Sequence, residues 1–329
     1  MLKKSLWIKG ILPGVLILCI GLGGPPRVIA DTFPSRPIEL IIPWAPGGAA
    51  DTMGRIFAEK GKEYLGQAMV VANKAGAGGV LGINVVAKAN PDGYTIGMTG
   101  ATLTIHKAIG TELPYDTMTD LTFINRTVFS PNIILVRSDS PWNTLEKLID
   151  YAKQNPGKLN YGTSGIGSTL HLGGELLQFN AGFKMKHVPY KGASPAVMAL
   201  LGGHIDLTFS NTVDSLAQIK AGKLTPLAVT SPERFPDLPN IPSVVEKGYP
   251  GAVILNYYGT FGPARLPRPI VDKLSGYFQK ILGLPDLQNR MKEFCVTSAY
   301  LGPEDWDKFV RDDFAKMLDL AKKANISVK

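Results

Sequence analysis

From residue 33 onward, short β-branched and apolar runs alternate with stretches whose apolar residues recur at helical spacing. Strand-like runs fall at 38–42, 69–72 and 95–98, and helix-like stretches at 53–64 and 80–88. This alternation predicts a parallel sheet covered by helices. The turn "NPDGYT" at 90–95 feeds the third strand, and residues 33 to about 128 read as one α/β unit.

A second unit begins near Asn132 with "IILV" and continues through a helix in "NTLEKLIDYAKQ", a strand in "KLNYGT" and a helix from Ser168. A strand near His187, a helix after Ala193 and strands in "IDLTF" and "PLAVT" follow. The proline-rich segment 230–242 reads as an extended surface connection. Beyond it come a strand in "YYGTF" and helices at 267–282, 286–294 and 303–324. In the last helix Trp306, Phe309, Val310, Phe314, Met317, Leu318 and Ala321 share an apolar face that needs a sheet to cover. Returning it to the first unit makes that domain discontinuous, 31–130 with 253–329, around a second domain at 131–252. The expected fold is α/β with two lobes, each a mostly parallel sheet flanked by helices, and a ligand cleft between them where strand carboxyl ends meet.

The first thirty residues stand apart. Lys3, Lys4 and Lys9 precede an apolar stretch from Ile11 to Leu22, and the segment ends Val28-Ile29-Ala30, a secretory signal pattern with cleavage expected after Ala30. The apolar stretch carries Pro13 and Gly14 and is shorter than the ~20 residues a spanning helix needs, which disfavours a retained anchor. Leu18 before Cys19 disfavours lipid attachment, which needs a small residue there. Removing 30 of the 329 residues leaves 299, enough for two domains that bury roughly three quarters of their unfolded surface. One cysteine, Cys295, remains, so no internal disulfide can form.

Loss of Lys3, Lys4, Lys9 and Arg27, with no acid in the segment, takes the formal charge from +8 to +4. No dense basic run interleaves with aromatics, so nucleic acid is not an expected partner.

Three glycine-rich loops fall between a strand and a helix: "PWAPGGAAD", "NKAGAGGVLG" and "GTSGIGSTLHLGG". In the first, Pro46 precedes Gly47, Gly48 and Ala49, and Asp51 lies in the opening turn of the next helix. Amides at a helix start, with the axial dipole, favour an anion. The third adds Thr163, Ser164, Ser168 and Thr169 around Gly165, while Asn211 offers an amide to the same cleft. Tight strand-to-helix turns would need the same glycines, but three such loops in corresponding places point to a ligand site. Trp44, just past the first strand, either walls that site or is buried beneath the lobe interface.

Catalytic readings fit poorly. Leu81 stands where a dinucleotide fingerprint needs its third glycine, and no glycine-lysine-serine/threonine triplet occurs. "GTSGI" lacks the closing glycine of a nucleophile elbow. His106, His171, His187 and His204 are too widely spaced for a local metal pair, and His171 reads as a packing or hydrogen-bonding residue. Neither a cofactor nor a metal is expected, and no enzyme activity. Asp206 and Asp214, flanking "LTFSN", read as turn caps.

Together "PSRPIELIIPWAPGGAAD", "NPDGYT", "LPYD", "YKGASPAVMALLGGHIDLTFSN" and "AGKLTPLAVTSPERFPDLPNIPSVVEKGYPG" resemble the tripartite tricarboxylate transporter receptor family, the Bug-type periplasmic solute-binding proteins. The resemblance spans roughly 33–324. It implies a two-lobed periplasmic-binding-protein-like clamp, monomeric in the Gram-negative periplasm, that captures a small organic acid for a transporter's large and small membrane subunits. It also implies that the loops at 44–51 and 163–169 grip a carboxylate through main-chain groups, hydroxyls and water. The chain departs from the family pattern at Trp44, where phenylalanine is common, at Ala45 (proline) and at Ala50 (threonine). Lys74-Ala75 replaces an arginine-proline pair, and Ser210 stands where an acid often lies. These departures suggest a ligand with a larger or more aromatic body than citrate-like acids. An exported α/β hydrolase and a sensor feeding a signalling partner are the competing readings.

Overall fold

The computed structural model describes residues 33–327, so the expected signal segment, Cys19 included, lies outside the described residues. The first sheet has six strands and the second five. In the first, β1 (Ile38–Ile42) lies between β2 (Met69–Asn73) and β3 (Thr95–Thr99), both parallel to it. Strands β4 (Leu121–Ser130), β10 (Asn256–Pro263) and β11 (Thr297–Leu301) complete it in the order β11-β4-β10-β3-β1-β2. The second sheet runs β7-β6-β8-β5-β9, formed by β5 (Asn132–Arg137), β6 (Asn160–Thr163), β7 (Lys186–Pro189), β8 (Leu207–Asn211) and β9 (Leu224–Val229).

Both sheets are mixed, where mostly parallel sheets were expected. Only β2-β1-β3 and β7-β6-β8 are parallel, and every pairing of β10, β4, β5 or β9 is antiparallel. In the first sheet two of the antiparallel strands, β4 and β11, do not show as apolar runs, and in the second β5 lies antiparallel between β8 and β9. β4 carries Asn125, Arg126 and Thr127 in its buried middle. Each is satisfied by a partner distant in sequence: Asn125 Oδ1 accepts from Thr260 Oγ1, Arg126 Nε donates to Ala299 O (2.7 Å), and Thr127 Oγ1 donates to Tyr258 O (3.0 Å).

Eleven α-helices flank the two sheets among the described residues. The stretch 53–64 divides into α1 (Ala49–Ala58) and α2 (Gly61–Leu65), separated at Glu59-Lys60, and α3 spans Val80–Ala87. Two short helices, α4 (Thr102–Ala108) and α8 (Thr212–Lys220), had no clear sequence signal. Helices α5 (Leu145–Gln154), α6 (Thr169–Ala181) and α7 (Ala193–Leu201) belong with the second sheet, and α9 (Arg268–Leu282), α10 (Pro285–Glu293) and α11 (Pro303–Lys323) follow β10. As expected from its apolar stripe, α11 packs against α4 and β4 of the first sheet. Among the described residues no helix is long and apolar enough to cross a membrane.

Trp306 anchors that packing. It is fully buried, meets Phe123 and Tyr257 edge to face at 6.2 and 5.5 Å, and donates Nε1–H to Thr260 O at 3.3 Å. A Cβ at Gly259 would lie 2.4 Å from the indole, so only glycine lets the ring rest on β10. Two turns on, buried Asp313 accepts from Thr104 Oγ1 and Tyr257 Oη, both at 2.7 Å, tying α11 to α4 and β10. Trp306→Ala should destabilise the fold by about 3–5 kcal/mol in urea titration. A loss below about 1 kcal/mol would show that α11 is not integral to the first sheet.

Candidate functional site

The carboxyl ends of the parallel strands in both sheets converge on one cavity of about 30 Å³. From the first sheet come Trp44, Gly48 and Ala49 after β1, Thr99 to Thr102 after β3, and Asn256 and Tyr258 from β10. The second sheet contributes Ser164, Ser168 and Thr169 after β6, Gly192 to Pro195 after β7, and Asn211 and Asp214 after β8. β10 is antiparallel to β3, with Gly259 opposite Thr99, so its opening residues reach the same edge.

Seven of the expected residues therefore line the cavity: Trp44, Gly48, Ala49, Ser164, Ser168, Thr169 and Asn211. Pro46, Gly47, Asp51, Thr163 and Gly165 do not, each for a local reason. Pro46 and Gly47 are exposed at the outer tip of their turn. The Gly47 amide turns back to Asp51 Oδ2 at 2.8 Å. Asp51 is buried behind the loop, where it also takes Arg55 Nε at 3.0 Å and Asn73 Nδ2 at 2.9 Å. Burial raises its pKa, but hydrogen bonds from Arg55, Gly47 and Asn73 outweigh that and hold it below the ordinary carboxylate range. Asp51 thus braces the loop.

Thr163 and Gly165 form the inner frame of the second loop. Thr163 Oγ1 accepts from the Gly165 amide at 3.1 Å and pairs with His187 Nε2 at 2.6 Å. Ser168 caps α6: its Oγ accepts from the His171 amide at 3.2 Å and donates to Gly165 O at 2.7 Å. His171 stacks on His187 with ring centroids 4.4 Å apart, in keeping with its reading as a packing residue. Burial lowers both; His187, with His171 beside it, falls to about 3.

Glycines bring the lobes into contact. The middle loop does not line the cavity; it packs across the interface, where a Cβ at Gly78 would sit 1.9 Å from Ile166 O. His106 Nε2 lies 3.0 Å from Gly78 O on the same side. Gly79 leaves room for the ring of Trp44, whose Cζ2 a Cβ there would meet at 3.3 Å. Trp44 is half-buried at the rim, between the two readings offered for it. Across the cleft the Ala45 amide donates to Lys191 O at 3.1 Å, and Ser194 Oγ lies 3.1 Å from Gly47 O.

Residues that sequence reasoning overlooked lie mostly in two places. "YKGASPA" has the same strand-glycine-helix order as the other loops and could have been found that way. Asn256 had no such signal. It is an interior link, with Nδ2 donating to Asn211 Oδ1 (2.8 Å) and Tyr258 Oη (2.9 Å), and Oδ1 accepting from Thr169 Oγ1 (3.3 Å). No Lys, Arg or His side chain lines the cavity among the described residues, and none of their His, Cys, Asp and Glu side chains form a group of three placed to hold a metal. The lining offers hydroxyls, amides, an aromatic rim and one carboxylate, Asp214, which accepts from Ser194 Oγ at 2.6 Å.

This two-sheet architecture has close solved counterparts. The periplasmic binding protein BugD superposes with a TM-score of 0.86 at 35% identity, over 90% of this chain and 99% of that one. A structure described as R. palustris Rpa4515 with adipate gives 0.86 at 31% identity, over 90% and 99%. A protein from the tcbD-tcbE intergenic region of Pseudomonas sp. strain P51 is 36% identical over 275 residues, 83% of this chain and 82% of that one. Residues 53–326 match the model of the tripartite tricarboxylate transporter family receptor. The chain belongs to that family. Its members are substrate-binding receptors rather than enzymes, in agreement with loops suited to holding a ligand unchanged.

The His187 shift makes acid sensitivity testable. In the unfolded chain His187 titrates near 6.5 and in the folded one near 3, so the unfolded state binds more protons between those values and stability falls as pH drops through that window. His187→Gln should flatten this limb by on the order of 1 kcal/mol per pH unit in urea midpoints followed from pH 7 to 4. Parallel profiles for the two proteins would mean that His187 is not held neutral by the fold.

Proposed function

We propose that this receptor captures a small organic carboxylate in the periplasm and presents it to the membrane subunits of a tripartite tricarboxylate transporter. The observation that carries the reading is the cavity itself: two sheets point strand ends at it, and α6 opens toward it. Helix starts and hydroxyls solvate an anion without a neutralising cation. The adipate of the R. palustris relative supports an acid as ligand. Backbone and hydroxyl contacts leave room for water bridges, which suit a carboxylate held by geometry more than by side-chain identity.

The lobes of this clamp are residues 31–130 with 253–329, and 131–252. Support comes from the strand assignment: β4 ends at Ser130 in the first sheet and β5 starts at Asn132 in the second, with Pro131 alone between them. The return crossing falls between β9 and β10. Rotation about these two connections opens and closes the cleft.

A thermal-shift screen over aliphatic, hydroxy and aromatic acids tests the ligand class. A true ligand at ~100 times its dissociation constant stabilises the folded state by roughly 2.7 kcal/mol. A shift from neutral or cationic solutes, with none from any acid, would overturn the carboxylate reading. At the rim, Trp44→Ala should cost aromatic acids about 1 kcal/mol more than aliphatic ones in calorimetry. Equal losses would remove Trp44 as a determinant of ligand shape.

A further inference from the structure

The start of α1 was expected to hold the ligand's carboxylate, yet the chain's own carboxylates are already there. Asp51 takes the Gly47 amide from behind. From the opposite lobe, the carboxylate of Asp214, in the first turn of α8, reaches the start of α1, where its Oδ1 lies 3.4 Å from the place a Cβ on Gly48 would take. The same carboxylate accepts from Ser194 Oγ at 2.6 Å and from Asn211 Nδ2 at 3.2 Å. Asp214 therefore sits beside the seat an external carboxylate would take on α1; burial pushes its pKa up against the hydrogen bonds from Ser194 and Asn211, which hold it down, and it is the ionised form that repels a second carboxylate.

The opposite seat is open. In α6, whose N-cap is Ser168, the His171 amide is taken by Ser168 Oγ and the Leu172 amide by Ser168 O. That leaves the Thr169 and Leu170 amides of the first turn without a helical acceptor, and both residues line the cavity. Facing the same cavity, Thr99 Oγ1 is fully buried and makes no hydrogen bond within the protein. A buried hydroxyl with no partner is costly unless a ligand or water completes it.

We infer that Asp214 restricts this receptor to monocarboxylates: the single ligand carboxylate binds at the start of α6 against Thr99, and the neutral remainder lies toward Asp214 and Trp44. The inference rests on the carboxylate reading above and narrows it. A second ligand carboxylate would meet the Asp214 carboxylate in a cavity with no cationic side chain, where like-charge contact is unfavourable. The donors near that end, Asn211 Nδ2 and Asn256 Nδ2, are already committed to Asp214, Asn211 Oδ1 and Tyr258.

Matched acids that differ by one carboxylate provide the test, hexanoate against adipate and benzoate against terephthalate, titrated by calorimetry into the wild-type receptor. In at least one pair the monoacid should bind more tightly by about tenfold or more. Asp214→Asn, which keeps the shape and removes the charge, should narrow that gap, and Thr99→Val should weaken the monoacid by about fivefold or more. Diacids that bind as tightly as their monoacid partners would overturn the inference while leaving the carboxylate reading intact. Failure of every acid, monoacids included, would overturn both. The wild-type comparison decides the matter by itself if either variant fails to fold.

Discussion

The two lobes meet backbone to backbone, and the site depends on that closeness. At Gly78 and Gly165 the chains approach so nearly that a Cβ on either would press on the main chain of the other lobe, by 1.9 Å against Ile166 O in the first case and 3.3 Å against Gly78 Cα in the second. Gly165 also has a positive φ, a conformation other residues adopt only with strain. Because no side chain intervenes, helix starts and hydroxyls from opposite sheets share one narrow cavity. Chemistry that a single loop could not perform, holding a charged group away from water without a cation, becomes available to several loops together.

Charge placement follows from the same closeness. Each helix start facing the cleft favours a negative group, and around α1 the protein supplies its own. Asp51 fixes the loop from within its lobe, whereas Asp214 approaches the start of α1 from the other, bonded to Ser194, whose hydroxyl also lies 3.1 Å from Gly47 O. By the inference above, such a carboxylate both links the lobes and excludes a competing anion.

Much of the fold was legible along the chain because strand and helix periods differ and because glycine marks most strand-to-helix turns. What escaped was β4, whose Asn125, Arg126 and Thr127 break the apolar run. They are tolerated in a buried strand only because β10 and the segment around Ala299, far away in sequence, bring partners for them. The candidate site shows the same limit. The loops after β1 and β6 were found by composition, and they do reach the cavity. Which of their residues face inward was decided by hydrogen bonds that turn Gly47 and Thr163 away from it.

By itself the sequence determined the local elements, the loops rich in glycine, and the family to which the chain belongs, since these depend on residues near one another or on their order. Tertiary structure alone decided that both sheets are mixed, that Asn256 joins Thr169 to Asn211, and that Asp214 comes against Gly48 at the start of α1. Each of these is a contact across more than forty residues of chain. No periodicity encodes such contacts, because they arise only when separate elements have packed and their polar groups must find partners inside.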